Sequence, residues 1–182
     1  IAGRGCTVEG VSGKQALAAI GQGRLMREYE HAFAAQGMVC AQVLLTRDDL
    51  RSRTRFLNAR NTFMNLLDWG VVPIVNENDT VAVQELKFGD NDQLASLLLN
   101  LIEADLYINL TSADGVLAAN PESAAPGEKI PFLDTIEDIE NLDIDALCGA
   151  KTSVGTGGMQ SKLMAARRAA QLGVPTLILP GR

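Results

Sequence analysis

The stretch VVPIVNENDT, residues 71–80, begins as a short apolar run and turns polar at Asn76. Its first half, VVPIV, reads as a buried strand, and its second half as the loop at that strand's carboxyl end. The same pattern recurs on either side. MVCAQVLL (38–45) lies upstream, and LYINLT (106–111) and VPTLILP (174–180) lie downstream; each is a short apolar run of strand length. Helical patterns separate them. Residues 13–36 place Leu17, Ile20, Leu25, Tyr29 and Phe33 near one face, with Gly37 set as a C-terminal cap. Thr46 can cap a second helix that runs to about Trp69 and stops at Gly70. Asp92 opens a third helix, DQLASLLLNLIEAD, and residues 159–172 form a last one. The segment 112–145 is less regular, with a β-hairpin or small excursion expected around EKIPFLDTI. Helix alternating with short apolar strand predicts an α/β fold, a three-layer αβα sandwich with a mainly parallel central sheet.

In such sheets the ligand sits at the carboxyl ends of the strands. Three polar clusters fall there: NENDT after VVPIV, TSADG after LYINLT, and GDND just before the third helix. A fourth feature is GTGGMQSKL, residues 155–163, where glycines lead into a helix and Lys162 lies in its first turn. The spacing is not that of a Walker A loop, since the lysine sits four residues after the last glycine. Glycines still admit a ligand to backbone N–H groups, and a helix start carries partial positive charge, so the loop suits an anion. An ordinary glycine turn with a solvated lysine is the equal alternative.

Composition narrows the chemistry. The chain has 182 residues, 47% hydrophobic and 21% charged, with a formal net charge of −6. That suits a globular domain with a proper core and argues against non-specific binding to nucleic acid, whose phosphates demand a basic face. No apolar run reaches the length of a membrane span, and IAGRGCTVEG has no signal-peptide layout. Cys6, Cys40 and Cys148 are scattered and form no C-x-x-C pair, which argues against a disulfide framework or zinc site and fits a reducing cytoplasm. His31 is the one histidine, in a helical pattern with a surface or boundary role, so chemistry here has to run without a histidine base.

Asn76 to Asp79 and Gly89 to Asp92 offer carboxylates and amides that suit an amino-acid substrate. Asp and Asn also favour turns, and Asp92 is an apt N-cap; magnesium is a competing use of the Asp oxygens. TSADG reads as an Asp-Gly turn or as a nucleotide loop with Asp114 near sugar or base. The basic run RDDLRSRTRFLNAR reads as a solvated helix face or as part of an oligomer contact. A phosphate cradle with a lysine, a polar amino-acid pocket and no histidine base together suggest phosphoryl transfer to a group that needs no deprotonation. A carboxylate, with a pKa of about 4, is such a nucleophile at neutral pH.

VVPIVNENDTVA, GDNDQLAS, LTSADGVL and GTGGMQSKLMAA, in that order and spacing, resemble the amino acid kinase family, and within it the members that phosphorylate free glutamate. KQALAAIGQGRLM and QVLLTRDDLRSRTRFLNAR resemble the same members, so the likeness covers almost the whole chain. The resemblance implies ATP-dependent phosphorylation of the γ-carboxylate of L-glutamate to glutamyl 5-phosphate, the first step of proline biosynthesis. It implies ATP and Mg²⁺, a cytoplasmic homodimer or homotetramer, and proline as feedback inhibitor. By position, Asp79 and Asn91 would bind glutamate with Asn76 and Asp90 nearby. Asp92 would orient the catalytic lysines, and Lys162 would stabilise the transferring phosphoryl group. Thr111, Ser112 and Asp114 would contact ATP, with Thr156, Gly157, Gly158, Met159, Gln160, Ser161 and Lys162 lining the nucleotide. Ser112 departs from the Asp seen in some members.

Family members begin with a strand ending in a K-x-G-S phosphate loop and a second strand ending in an S-G-A turn. Residues 1–182 are therefore expected to be an amino acid kinase catalytic domain incomplete at its N-terminus, without the second lysine, and without a PUA domain. The alternatives are a kinase of the same family acting on acetylglutamate, aspartate or UMP, and a non-catalytic amino-acid sensor. NEND and GDND favour free glutamate.

Overall fold

The computed structural model describes residues 10–82, 90–125, 127, 129–149 and 158–181. The chain divides into two compact units, Ile1–Phe88 and Gly89–Arg182, and both are built of helices with parallel strands.

In the first unit, helix α1 (Gly10–Ala34) is followed by strand β1 (Val39–Leu45), helices α2 (Arg47–Arg51) and α3 (Arg53–Asp68), and strand β2 (Val71–Glu77). The glycine cap after α1 is present. Gly37 adopts φ 69°, its N–H donates to Ala34 O at 3.0 Å, and that of Met38 to Phe33 O at 3.0 Å. The packed face of α1 is not the apolar stripe expected from the sequence. Leu17, Ile20, Leu25 and Tyr29 are exposed, whereas Met26 is buried. The inward residues Gln15 and Gln22 explain the displacement: Gln15 donates to Ala82 O at 3.1 Å and Gln22 to Gln42 Oε1 at 3.1 Å. Polar side chains that find partners can occupy a packed face, and apolar periodicity does not reveal them.

The single helix expected after Thr46 is broken at Ser52, which is extended (φ −74°, ψ 119°). The Asp49 carboxylate turns back to Thr46, accepting from its N–H at 2.7 Å and its hydroxyl at 2.6 Å, and takes Arg55 at 3.1 Å. Serine favours helix ends over interiors, and the chain restarts there as α3. Burial works to raise the Asp49 pKa, but the Thr46 bonds and Arg55 outweigh it and hold the group below the ordinary carboxylate value. Phe63, 1% exposed, anchors α3, and Gly70 (φ 70°) ends the turn after it. Strands β1 and β2 pair in parallel from Val39↔Val71 to Leu45↔Glu77. Pairing continues two residues beyond VVPIV, so Asn76 lies in the strand and not in the loop after it.

In the second unit, helix α4 (Asn91–Ile102), strand β3 (Tyr107–Thr111), helices α5 (Ile144–Cys148) and α6 (Met159–Gln171), and strand β4 (Thr176–Pro180) follow in order. β3 and β4 are parallel, from Tyr107↔Thr176 to Thr111↔Pro180. Leu99 of α4, Tyr107 of β3, Ala165 and Ala169 of α6, and Val174 form one buried cluster. The alanines let α6 approach closely, and each fully buried leucine contributes about 1.5–3 kcal/mol. A second cluster joins Val116, Ile144 and Leu163. Glu103, at φ 53°, takes the left-handed conformation that ends α4. The expected hairpin reduces to one antiparallel bridge, Leu117↔Phe132, flanked by Leu133 N–H to Val116 O at 2.8 Å and Ala118 N–H to Pro131 O at 2.9 Å. Pro131 has no N–H to extend the ladder. Among the described residues no helix is long and apolar enough to cross a membrane.

Candidate functional site

The start of α4 decides which acidic residue is free for chemistry. Asp90, extended at φ −155°, is its N-cap: Oδ1 accepts the Gln93 N–H at 2.8 Å. This corrects the expectation that Asp92 caps the helix. With the cap supplied two residues earlier, Asp92 sits in the first turn and turns its side chain elsewhere. The other Asp90 oxygen, Oδ2, accepts the Ser161 hydroxyl, which ties the cap of α4 to the first turn of α6.

α6 begins at Gly158, an N-cap without a side chain to compete for the first helical amides. Lys162 stands in its first turn. Its Nζ lies 3.2 Å from Oδ1 and 3.1 Å from Oδ2 of Asp92, a two-oxygen ion pair with each side chain 16% exposed. Asp92 is gripped a second time: Oδ1 accepts from Nδ2 of Asn109 at 2.7 Å. The same amide donates to the Tyr107 phenol oxygen at 2.8 Å. Burial, then the negative charge of Asp92, push the Tyr107 phenol up to about 12 despite the Asn109 bond, which works to lower it.

The nucleotide candidates divide in three. Thr111 is buried at the end of β3, and its Oγ1 accepts the Ala113 N–H at 3.2 Å; Ser112 and Asp114 are exposed in the turn that follows. Gly158, Met159, Gln160, Ser161 and Lys162 form the start of α6, where Gln160 donates to Asp145 Oδ1 at 2.5 Å. Thr156 and Gly157 lie outside the described residues.

The glutamate candidates fall in both units. Asn91 is exposed in the first turn of α4, beside Asp90 and Asp92. In the first unit, Asn76 is committed within its surroundings: its amide donates to Gln22 Oε1 at 3.0 Å, and its Oδ1 accepts the Glu77 N–H at 2.9 Å. Asp79 is half-buried in the turn after β2, where the N–H groups of Val81 (3.2 Å) and Ala82 (3.0 Å) close onto Asn78 O.

Sequence reasoning missed Tyr107 and Asn109. The signal was present in the alternation of YINLT, whose polar residues are the buried ones and whose Ile108 and Leu110 are exposed. Among the described residues, no three His, Cys, Asp or Glu side chains are grouped to hold a metal ion.

A model of the amino acid kinase family matches residues 5–180. The chain is 68% identical over 177 residues to a glutamate 5-kinase of Nitratidesulfovibrio vulgaris, covering 97% of this chain and 46% of that relative. It is 64% identical over 179 residues to the glutamate 5-kinase of Oleidesulfovibrio alaskensis, covering 98% and 46%. It is 54% identical over 170 residues to that of Geobacter sulfurreducens, covering 93% and 44%. The chain thus spans somewhat less than half the length of these curated relatives.

Proposed function

This chain belongs to the amino acid kinase family, and on that premise we propose that it carries the phosphoryl-transfer machinery of a glutamate 5-kinase, in the three-layer αβα arrangement with a mainly parallel central sheet. The observation that carries the reading is the Lys162–Asp92 pair in the first turns of α6 and α4. A cation held by a carboxylate at two helix starts is placed to meet negative charge that moves, and the kinship to glutamate 5-kinases supports the choice of acceptor.

In this reading a γ-carboxylate oxygen of L-glutamate attacks the γ-phosphorus of ATP, and the bond from that phosphorus to the β–γ bridging oxygen breaks. ADP leaves and glutamyl 5-phosphate forms. No proton has to move, because the acceptor is already ionised. The protein's task is alignment and charge neutralisation. Lys162 stabilises the phosphoryl group in flight, and Asp92 orients Lys162. Asp79 and Asn91 bind glutamate, with Asn76 and Asp90 nearby. Thr111, Ser112, Asp114 and residues 156–162 contact the nucleotide. Magnesium, brought on the phosphates, supplies further charge neutralisation when bound. Residues 1–182 belong to the catalytic domain of a cytoplasmic homodimer or homotetramer on the path to proline, inhibited by proline itself.

The test is acyl-phosphate trapping. The native-length gene product is given MgATP and hydroxylamine with L-glutamate, N-acetylglutamate or L-aspartate, and hydroxamate is measured. Product with glutamate alone is the expected result. Silence with all three, from folded protein, overturns the reading.

A further inference from the structure

We propose that Asn109 is a positioning residue for phosphoryl transfer, holding the Asp92 carboxylate, and through it the Lys162 ammonium, in the orientation the reaction uses. The inference rests on the reading that Lys162 attends the transferring group. Its structural half, that Asn109 sets the Lys162–Asp92 geometry, stands independently.

The contact is short and its polarity is unambiguous. Asn109 Nδ2 lies 2.7 Å from Asp92 Oδ1, closer than either approach of Lys162, at 3.2 and 3.1 Å. A carboxylate only accepts, so the nitrogen of the amide has to face it. A bond to an ionised acceptor is about twice as strong as a neutral one. Asn109 is itself immobilised. It is 4% exposed, and its second N–H reaches the phenol oxygen of Tyr107 at 2.8 Å. Tyr107 in turn packs with Leu99 of α4 and with Ala165 and Ala169 of α6. The orientation of Asp92 is thus referred back to the interior of β3.

Neither partner of the ion pair could hold that geometry by itself. The χ2 torsion of an aspartate is broad, so its carboxylate rotates readily unless something grips it. Lysine is a flexible four-carbon stem ending in a point charge, with three donors and no fixed fork. Two equal contacts from Nζ require both Asp92 oxygens to face α6, and Asn109 sets that rotation from the strand side. A misplacement of about 1 Å at a reacting centre can lower the rate about 100-fold.

The test uses Asn109→Leu, similar in volume and unable to hydrogen-bond, and Tyr107→Phe, which removes only the oxygen steadying Asn109. In the native-length gene product Asn109→Leu is expected to lower kcat at least tenfold, with KM for acceptor and ATP within about twofold. Tyr107→Phe is expected to lower kcat two- to threefold. Combined with Asp92→Asn, Asn109→Leu should have no further effect, because its influence passes through the carboxylate. Multiplying effects would overturn the proposal, as would an unchanged kcat.

A second readout needs no turnover: the acetylation rate of Lys162 by acetic anhydride, followed by mass spectrometry. It should rise at least threefold in Asn109→Leu and measurably in Tyr107→Phe. An unchanged rate in both overturns the proposal even if activity falls. A raised rate in protein that phosphorylates none of the three acceptors would fell the glutamate reading and leave the role of Asn109 in setting the ion pair intact.

Discussion

Lys162 and Asp92 lie 70 residues apart in sequence, yet the ammonium rests on both oxygens of the carboxylate, at 3.2 and 3.1 Å. Two helix starts make this contact. Asp90 and Ser161 draw the starts of α4 and α6 together, and the following residues on each helix supply the opposite charges. The pair is completed wholly within the second compact unit.

Replacing Lys162 by Ala is expected to lower kcat by about 100- to 1000-fold, the usual effect of removing one group that meets transition-state charge. Glutamate affinity should change little on the proposed reading, in which the lysine attends the phosphoryl group and not the amino acid. Hydroxamate kinetics and calorimetric titration of glutamate check the two halves. Lost glutamate binding with chemistry preserved would contradict the role.

Asp79→Ala is expected to raise the glutamate KM about 10- to 100-fold, the range for losing a hydrogen bond to a charged group. The ATP KM should stay within about twofold. Equal effects on both substrates would remove Asp79 from the glutamate site.

Asp90→Ala removes the cap of α4 and the acceptor for Ser161 at once. A lost cap costs about 1–2 kcal/mol. For a chain of this size that corresponds to a Tm lower by about 2–8 °C. Scanning calorimetry without substrates measures it, and Asp90→Asn, which can still cap, should recover most of the loss. An unchanged Tm in the alanine variant would mean that the cap is dispensable.

Much of this arrangement could be read from the chain, for reasons that differ by residue. Runs such as MVCAQVLL and VPTLILP are predominantly apolar, the pattern expected of parallel strands with crossover helices, and that pattern needs no partner to be recognised. GDND was harder. Three neighbouring residues there can each cap a helix, and only the observed geometry assigns the cap to Asp90 and leaves Asp92 to Lys162. The packed face of α1 was misread because Gln15 and Gln22 lie on it, satisfied by Ala82 and Gln42. Asn109 and Tyr107 escaped notice because LYINLT looks apolar as a whole, and which of its two faces turns inward depends on what α4 and α6 present to it.

Tyr107 makes a pH prediction. Its phenol is pushed from 10.0 up to about 12, so the folded protein holds that proton more tightly than the unfolded chain does. The stability it contributes is fully present below pH 10 and is lost as pH rises from 10 toward 12, by on the order of 2–3 kcal/mol. Denaturant unfolding across that range measures the slope. Tyr107→Phe should flatten it, and an equal slope in the variant would show that another group is responsible.

The inverted alternation of β3 bears on how the chain finds its fold. A strand shifted by one residue against β4 would turn Ile108 and Leu110 toward α4 and α6 and send Tyr107, Asn109 and Thr111 outward. By hydropathy alone, that slipped arrangement is the better one. What opposes it is a directional bond, Asn109 to Asp92 of α4, that the slipped register cannot form. Asn109 thus acts as a register key as well as a clamp, and an apolar residue in its place would favour mispaired conformers during refolding.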